Sequence, residues 1–172
     1  AQFHKKFTLE DVSNSAMVAS PLRLLDCSPI SDGVAAVILS SKKSNRKAQI
    51  LGFGHGQDTL ALQDRQDLGK LVATQKAAKQ AFNQAGLSQK DIQAIEVHDC
   101  FSIAEILAVE DLGFFAKGQA AKAIANGQTT YGGQIVVNPS GGLKACGHPV
   151  GATGVKQIAY LSSLIEAGQF DR

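Results

Sequence analysis

The chain has 172 residues, a net charge of +2 and 44% apolar residues, enough to build a core at the common domain size of about 100–150 residues. Its basic residues fall in short mixed patches such as Lys42-Lys43 and Arg46-Lys47, so no sustained basic stripe faces a phosphate backbone and nucleic acid is not an expected partner. No apolar run approaches the roughly 20 residues of a membrane span, and the polar start from Ala1 to Lys6 lacks a signal peptide's apolar core.

Cys27, Cys100 and Cys146 are odd in number and form no C-x-x-C pair, which argues against a disulfide framework or a zinc ribbon and points to free thiols in the cytoplasm. The chain opens on Ala1 rather than Met and stops at Arg172 straight after an apolar, alanine-rich stretch. A cut fragment fits both ends.

Taken in order, Val34 to Leu39 is a continuous apolar run of strand length, and the polar residues 40–47 after it read as a connector. A second strand is expected at Ala48 to Phe53. A helix comes next, from about Asp67 to Ala85, with Leu68, Leu71, Val72, Ala78, Ala81 and Phe82 on one face and Gly86 placed to stop it.

Ile92 to Val97 reads as the next strand, and Ser102 with Glu105 three residues later predicts a capping box that starts a helix carrying Ile103, Ile106 and Leu107. His98-Asp99-Cys100-Phe101 therefore lies in a strand-to-helix turn. The pattern repeats with a strand at Gln134 to Val137, a turn-rich stretch from Asn138 to Leu143 and a helix from about Gly151 to Ala167, with His148 at its start.

Strands alternating with helices predict an α/β fold, in which ligands gather beyond the carboxyl ends of strands near helix N-termini. Both polar clusters fall in such places, and a parallel sheet would bring them together. The last helix carries Gly151, Ala152, Gly154 and Ala159. Helical glycine costs about 1 kcal/mol relative to alanine, so these residues predict a close approach of ligand or neighbouring helix.

A thiol at a helix N-terminus beside an imidazole has a lowered pKa, which makes Cys100 a thiolate or an exchangeable acid/base, while His148 is placed to donate to a developing oxyanion. The plainer alternative is a buried, satisfied pair behind a helix start, with His148 a turn residue bonded to backbone. A second alternative is a zinc module using His98, Cys100, Cys146 and His148, although one-residue spacers differ from the usual two to four.

Four segments carry a family resemblance: Asp26-Cys27-Ser28-Pro29-Ile30-Ser31-Asp32-Gly33, His98-Asp99-Cys100-Phe101, Asn138-Pro139-Ser140-Gly141-Gly142 and Gly147-His148-Pro149-Val150-Gly151-Ala152-Thr153-Gly154. In this order they resemble the thiolase superfamily, specifically the sterol-carrier-protein type and archaeal-like acetyl-CoA acetyltransferases. The resemblance implies a layered αβαβα fold with a mixed sheet and buried central helices. Residues 1–45 would end the N-terminal half, and 46–172 would form the C-terminal domain without its last strand-loop.

It also implies reversible Claisen condensation and thiolysis of 3-ketoacyl-CoA thioesters, with coenzyme A as substrate, no metal or redox cofactor, and a homodimer or tetramer. His148 would activate the nucleophilic cysteine and hold a thioester oxygen, His98 would help build the other oxyanion site, and Cys100 would move the α-carbon proton. Phe101, Asn138, Ser140, Gly141, Gly142, Gly147, Pro149 and Gly151 would line or support the substrate loops. Cys27 and Cys146 are read as structural, as are Asp99 and Asn138, which brace loops; His4 and His55 are surface residues.

The chain departs from the family pattern twice. The family's acylated cysteine belongs to the N-terminal half, and Cys27 does not replace it; the last glycine-rich strand-loop is also absent, so the fragment alone is expected not to turn over. The competing classes are a homologue that binds acyl-CoA or a partner protein without catalysis, and a ketoacyl synthase relative, which would carry histidine or asparagine where Cys100 stands.

Overall fold

A computed structural model describes residues 2, 4–42 and 45–172. Ala1 and Phe3 of the polar start, and Lys43 and Ser44 of the connector, lie outside the described residues.

Near the N-terminus, Thr8 and Asp11 form a reciprocal capping box that starts α1 (Leu9–Asn14). The short antiparallel pair β1 (Met17–Ala19) and β2 (Leu22–Arg23) comes after it. Helix α2 (Val72–Ala85) begins later than its apolar pattern predicts. Asp67 takes the Gly69 N–H at 2.8 Å and holds residues 67–70 as a turn, and Asp111 accepts the Leu71 N–H at 2.6 Å to satisfy the helix start. At the other end Gly86 adopts the left-handed conformation and stops α2, as expected.

The two apolar segments expected as strands, 34–39 and 48–53, form no strand among the described residues. Val34 and Ile38 are 94% and 97% exposed; an extended backbone becomes a strand only where a neighbour supplies donors and acceptors. Residues 47–57 are held instead by side chains. Glu166 accepts the N–H groups of Lys47 and Ala48, Gln84 that of Phe53 and Gln80 that of His55, while Lys76 donates to the Gln57 carbonyl. Gly52, Gly54 and Gly56 face α2, where a Cβ would meet the carbonyl oxygens of Ala81, Ala77 and Ala73.

The segment that positions the site is the parallel pair β3 (Ala94–Ile95) and β4 (Val136–Val137), in register Ala94 to Val136 and Ile95 to Val137. The ladder is shorter than the apolar runs because the Val97 N–H leaves it for the Asn138 side chain at 2.8 Å. Around it pack α3 (Ser102–Asp111), α4 (Ala120–Ala125), α5 (Gly142–Cys146) and α6 (Thr153–Glu166). Val109, Ile135 and Leu143 are the largest fully buried side chains. The result is the mixed α/β fold predicted from the alternation of elements.

Two local expectations are corrected. Phe101, not Ser102, is the N-cap of α3, and no capping box forms there; the Ser102 hydroxyl donates to Asp26 at 2.9 Å and Glu105 accepts from Asn138 at 2.9 Å, because both find partners across the fold. The helix expected from Gly151 begins at Thr153; Gly151 and Gly154 face open space, with nothing of this chain within 4 Å of a Cβ at either. Among the described residues no helix is long and apolar enough to cross a membrane.

Replacing Gly54 by Val should lower stability by about 1–3 kcal/mol or more, because the added carbons meet main chain rather than a yielding side chain. Urea denaturation measures it, with the exposed His55→Ala expected to stay within about 0.5 kcal/mol.

Candidate active site

Parallel pairing puts the carboxyl ends of β3 and β4 side by side, and the two turns that leave them carry the histidines. His98 lies three residues beyond β3; His148 lies just after α5, whose own start is the Asn138 to Gly142 turn after β4. Their Nε2 atoms stand 3.2 Å apart, with rings edge to face at 4.6 Å between centroids. Cys100 is a free, half-buried thiol two residues beyond His98, immediately before the cap of α3. Its carbonyl accepts the Ser28 N–H at 2.9 Å, while Phe101 forms an isolated bridge with Cys27 and keeps an exposed ring.

His148 is fixed on three sides. Ser31 accepts its backbone N–H at 2.8 Å, Ile30 forms an isolated parallel bridge with it, and ring Nδ1 lies 3.1 Å from the Thr153 hydroxyl. Thr153 is buried and donates to the Pro149 carbonyl at 3.2 Å. Gly147 makes this possible, since it has φ 88° and a Cβ there would sit 2.5 Å from the Ser31 hydroxyl. Residues 31–35 and 149–152 line an open groove beside the histidine.

The loop between the strands and His148 is braced from below. Asn138, at φ 49°, accepts the Val97 N–H and donates to Glu105, which fixes which end of its amide is which. Glu96, with its side chain 1% exposed, accepts the Ser140 N–H and hydroxyl, each at 2.9 Å, and pairs with Lys156 at 3.5 Å. Lys156 also donates to the Ser140 hydroxyl at 2.6 Å, and Tyr160 donates to the Pro139 carbonyl. Asp99 accepts the Leu143 N–H at the start of α5, where Gly142 leaves room for the carboxylate.

The electrostatics are set by burial. Desolvation, with the His148 charge next, holds His98 below the ordinary imidazole range. Burial pushes the carboxyls of Asp99 and Glu105 up, opposed by the hydrogen bonds from Leu143 and Asn138. An imidazole held neutral at His98, in contact with a second imidazole, is suited to hydrogen-bonding an oxyanion.

The residues singled out from sequence thus gather at one place, with His98 and His148 in contact and Cys100, Phe101, Asn138, Ser140, Gly141, Gly142, Gly147 and Pro149 in the two turns. Gly151 lies at the groove. The four-ligand zinc arrangement does not assemble: Cys146 turns its thiol to the Ser140 carbonyl at 3.1 Å, and no group of three or more His, Cys, Asp or Glu among the described residues converges on a metal position. Cys27 donates to the Arg23 carbonyl at 3.3 Å. His4 and His55 are exposed. Sequence reading missed Ser31, Thr153 and the Glu96–Lys156 pair; sixty residues separate the last two, with no local spacing to mark them.

Residues 54–166 match the family model described as thiolase C-terminal domain-like. The acetyl-CoA acetyltransferase of Methanothermobacter thermautotrophicus is 54% identical over 164 residues, covering 92% of this chain and 43% of that protein. Sterol carrier protein 2 of Gallus gallus is 42% identical over 171 residues, covering 94% and 31%. The solved structure of an Ltp2-ChsH2(DUF35) aldolase superposes with a TM-score of 0.77 at 26% identity, over 95% of this chain and 44% of that one. The chain therefore spans less than half the length of the relatives it matches.

His98 should titrate below the ordinary imidazole midpoint of about 6.5, and His148→Ala should raise that midpoint by removing both cover and a neighbouring charge; ring-proton shifts followed by NMR against pH report both. Lys156→Met should cost roughly 3 kcal/mol in urea denaturation by leaving Glu96 buried and unpaired, and adding Glu96→Gln should recover part of the loss.

Proposed function

Because the chain belongs to the thiolase family through its C-terminal domain, we propose that it supplies the proton-transferring and oxyanion-holding half of an enzyme that joins and cleaves 3-ketoacyl-CoA thioesters. The observation that carries this reading is the 3.2 Å contact of His98 with His148, in turns that also place Cys100 at the entrance to α3.

In thiolysis, a nucleophilic cysteine from the N-terminal half attacks the 3-keto carbon after giving its proton to His148. With His98 helping to hold the oxyanion formed at the 3-keto carbon, the carbon–carbon bond breaks, its electrons pass to the α-carbon as an enolate whose thioester oxygen is held by His148, and Cys100 returns a proton to that carbon. Acetyl-CoA leaves; the thiol of a second coenzyme A then takes the acyl group. Condensation runs the same steps backwards.

In this reading residues 1–45 finish the N-terminal half and 46–172 form the C-terminal domain, so Val34 to Leu39 pairs with strands of the other half. The chain alone is inactive for want of the nucleophile. The complete enzyme is a cytoplasmic homodimer or tetramer that needs no metal or redox cofactor.

A second reading rests on the relative named sterol carrier protein 2: the site binds acyl-CoA without turning it over. Acetoacetyl-CoA thiolysis by a polypeptide carrying both halves separates the two. Cleavage lost by about 10²–10⁴-fold in a folded Cys100→Ala variant supports the enzyme, whereas saturable binding with no cleavage at any chain length supports the carrier.

A further inference from the structure

We propose that Thr153 is a positioning residue that sets the tautomer of His148, holding its proton on Nδ1 so that Nε2 presents a lone pair to the reaction. This rests on the reading of His148 as the base that activates the nucleophile.

The hydrogen-bond roles are decided by which partners own protons. The Pro149 carbonyl has none, so the Thr153 hydroxyl, 3.2 Å away, is the donor in that contact. A hydroxyl has one proton. The Pro149 carbonyl also takes the Ala152 and Thr153 N–H groups, at 2.8 and 3.1 Å; with the hydroxyl proton shared onto that carbonyl, the bond threonine makes to a carbonyl four residues back, the same oxygen meets His148 Nδ1 at 3.1 Å as an acceptor and Nδ1 carries hydrogen. In a neutral imidazole the other nitrogen is then bare. In the resting site His98 Nε2, facing it at 3.2 Å, is then the donor, and that bond gives way before His148 Nε2 takes a proton from the nucleophile. One chain of bonds, His98 to His148 to Thr153 to Pro149, thus orients both rings.

The arrangement is built into the local fold. Thr153 is the first residue of α6, and its hydroxyl turns back to the carbonyl four residues earlier, a bond open to threonine and serine but to no apolar residue. Its side chain is buried. The backbone of His148 is pinned separately by Ser31. Losing the Thr153 hydroxyl therefore releases the ring without releasing the loop.

The test uses a polypeptide carrying both halves, with histidine labelled by ¹⁵N, and compares wild type, Thr153→Val and Thr153→Ser. The expected results are a protonated-type Nδ1 signal for His148 in wild type, assigned by its loss in His148→Gln, and a mixed tautomer signal in Thr153→Val. Thr153→Val should also lower kcat by about 10- to 100-fold with KM within about twofold, and Thr153→Ser should restore kcat to within about threefold.

A wild-type signal with the proton on Nε2 overturns the proposal, as does an unchanged kcat in folded Thr153→Val. If that variant does not fold, the wild-type tautomer and the Thr153→Ser rate still decide. A wild type silent toward every acyl thioester ends the enzyme reading, while the tautomer signal decides the role of Thr153 on its own.

Discussion

The site depends on one constraint, the parallel register of Ala94 and Ile95 against Val136 and Val137. Antiparallel strands would put the turns after β3 and β4 at opposite edges of the sheet. Parallel strands put them at one edge, and the two imidazoles meet there although fifty residues separate them. Both faces are covered, since Ala94 and the adjacent Ile135 and Val136 all lie in the core. After the strands end, Asn138 continues the pairing with its side chain by taking the Val97 N–H. The turn that leads to His148 is thus hung from the turn that leads to His98.

Charge is distributed so that rigidity and chemistry do not compete. The buried ion pair of Glu96 and Lys156 and the carboxylates of Asp99 and Glu105 sit behind the loops and satisfy backbone or amide hydrogens. Between the two turns, desolvation and the neighbouring imidazole disfavour a charged His98. Fixed donors around a weakly charged centre stabilise charge that develops only during a reaction, without having to reorganise to do so.

The succession of β3, α3, β4 and α6 and the two histidine turns were legible from the chain itself, since apolar runs ending at His98 and Asn138 left only strand-to-turn geometry for the residues just beyond them. The helix stop at Gly86 was equally readable, because a left-handed C-cap favours glycine. What misled was local chemistry satisfied at long range. Ser102 and Glu105 have the spacing of a capping box but bond to Asp26 and Asn138. Val34 to Leu39 has the composition of a strand without a neighbour to make it one. Glu96 and Lys156 show nothing until the fold brings them together. Thr153 stood within a motif whose glycines drew the eye.

The contact between residues 52–57 and α2 joins two rulers of different pitch. Four helical residues advance about 6.0 Å, and two extended residues advance about 6.6 Å. Gln84, Gln80 and Lys76 step down the helix by fours while Phe53, His55 and Gln57 step along the extended chain by twos. Each step differs by only about 0.6 Å in these ideal repeats, so over two steps the chain and the helix stay in phase, and Gly52, Gly54 and Gly56 approach the carbonyls of Ala81, Ala77 and Ala73 alike. The run of alternate glycines ends at Gly56 because Ala73, which it faces, lies in the first turn of α2.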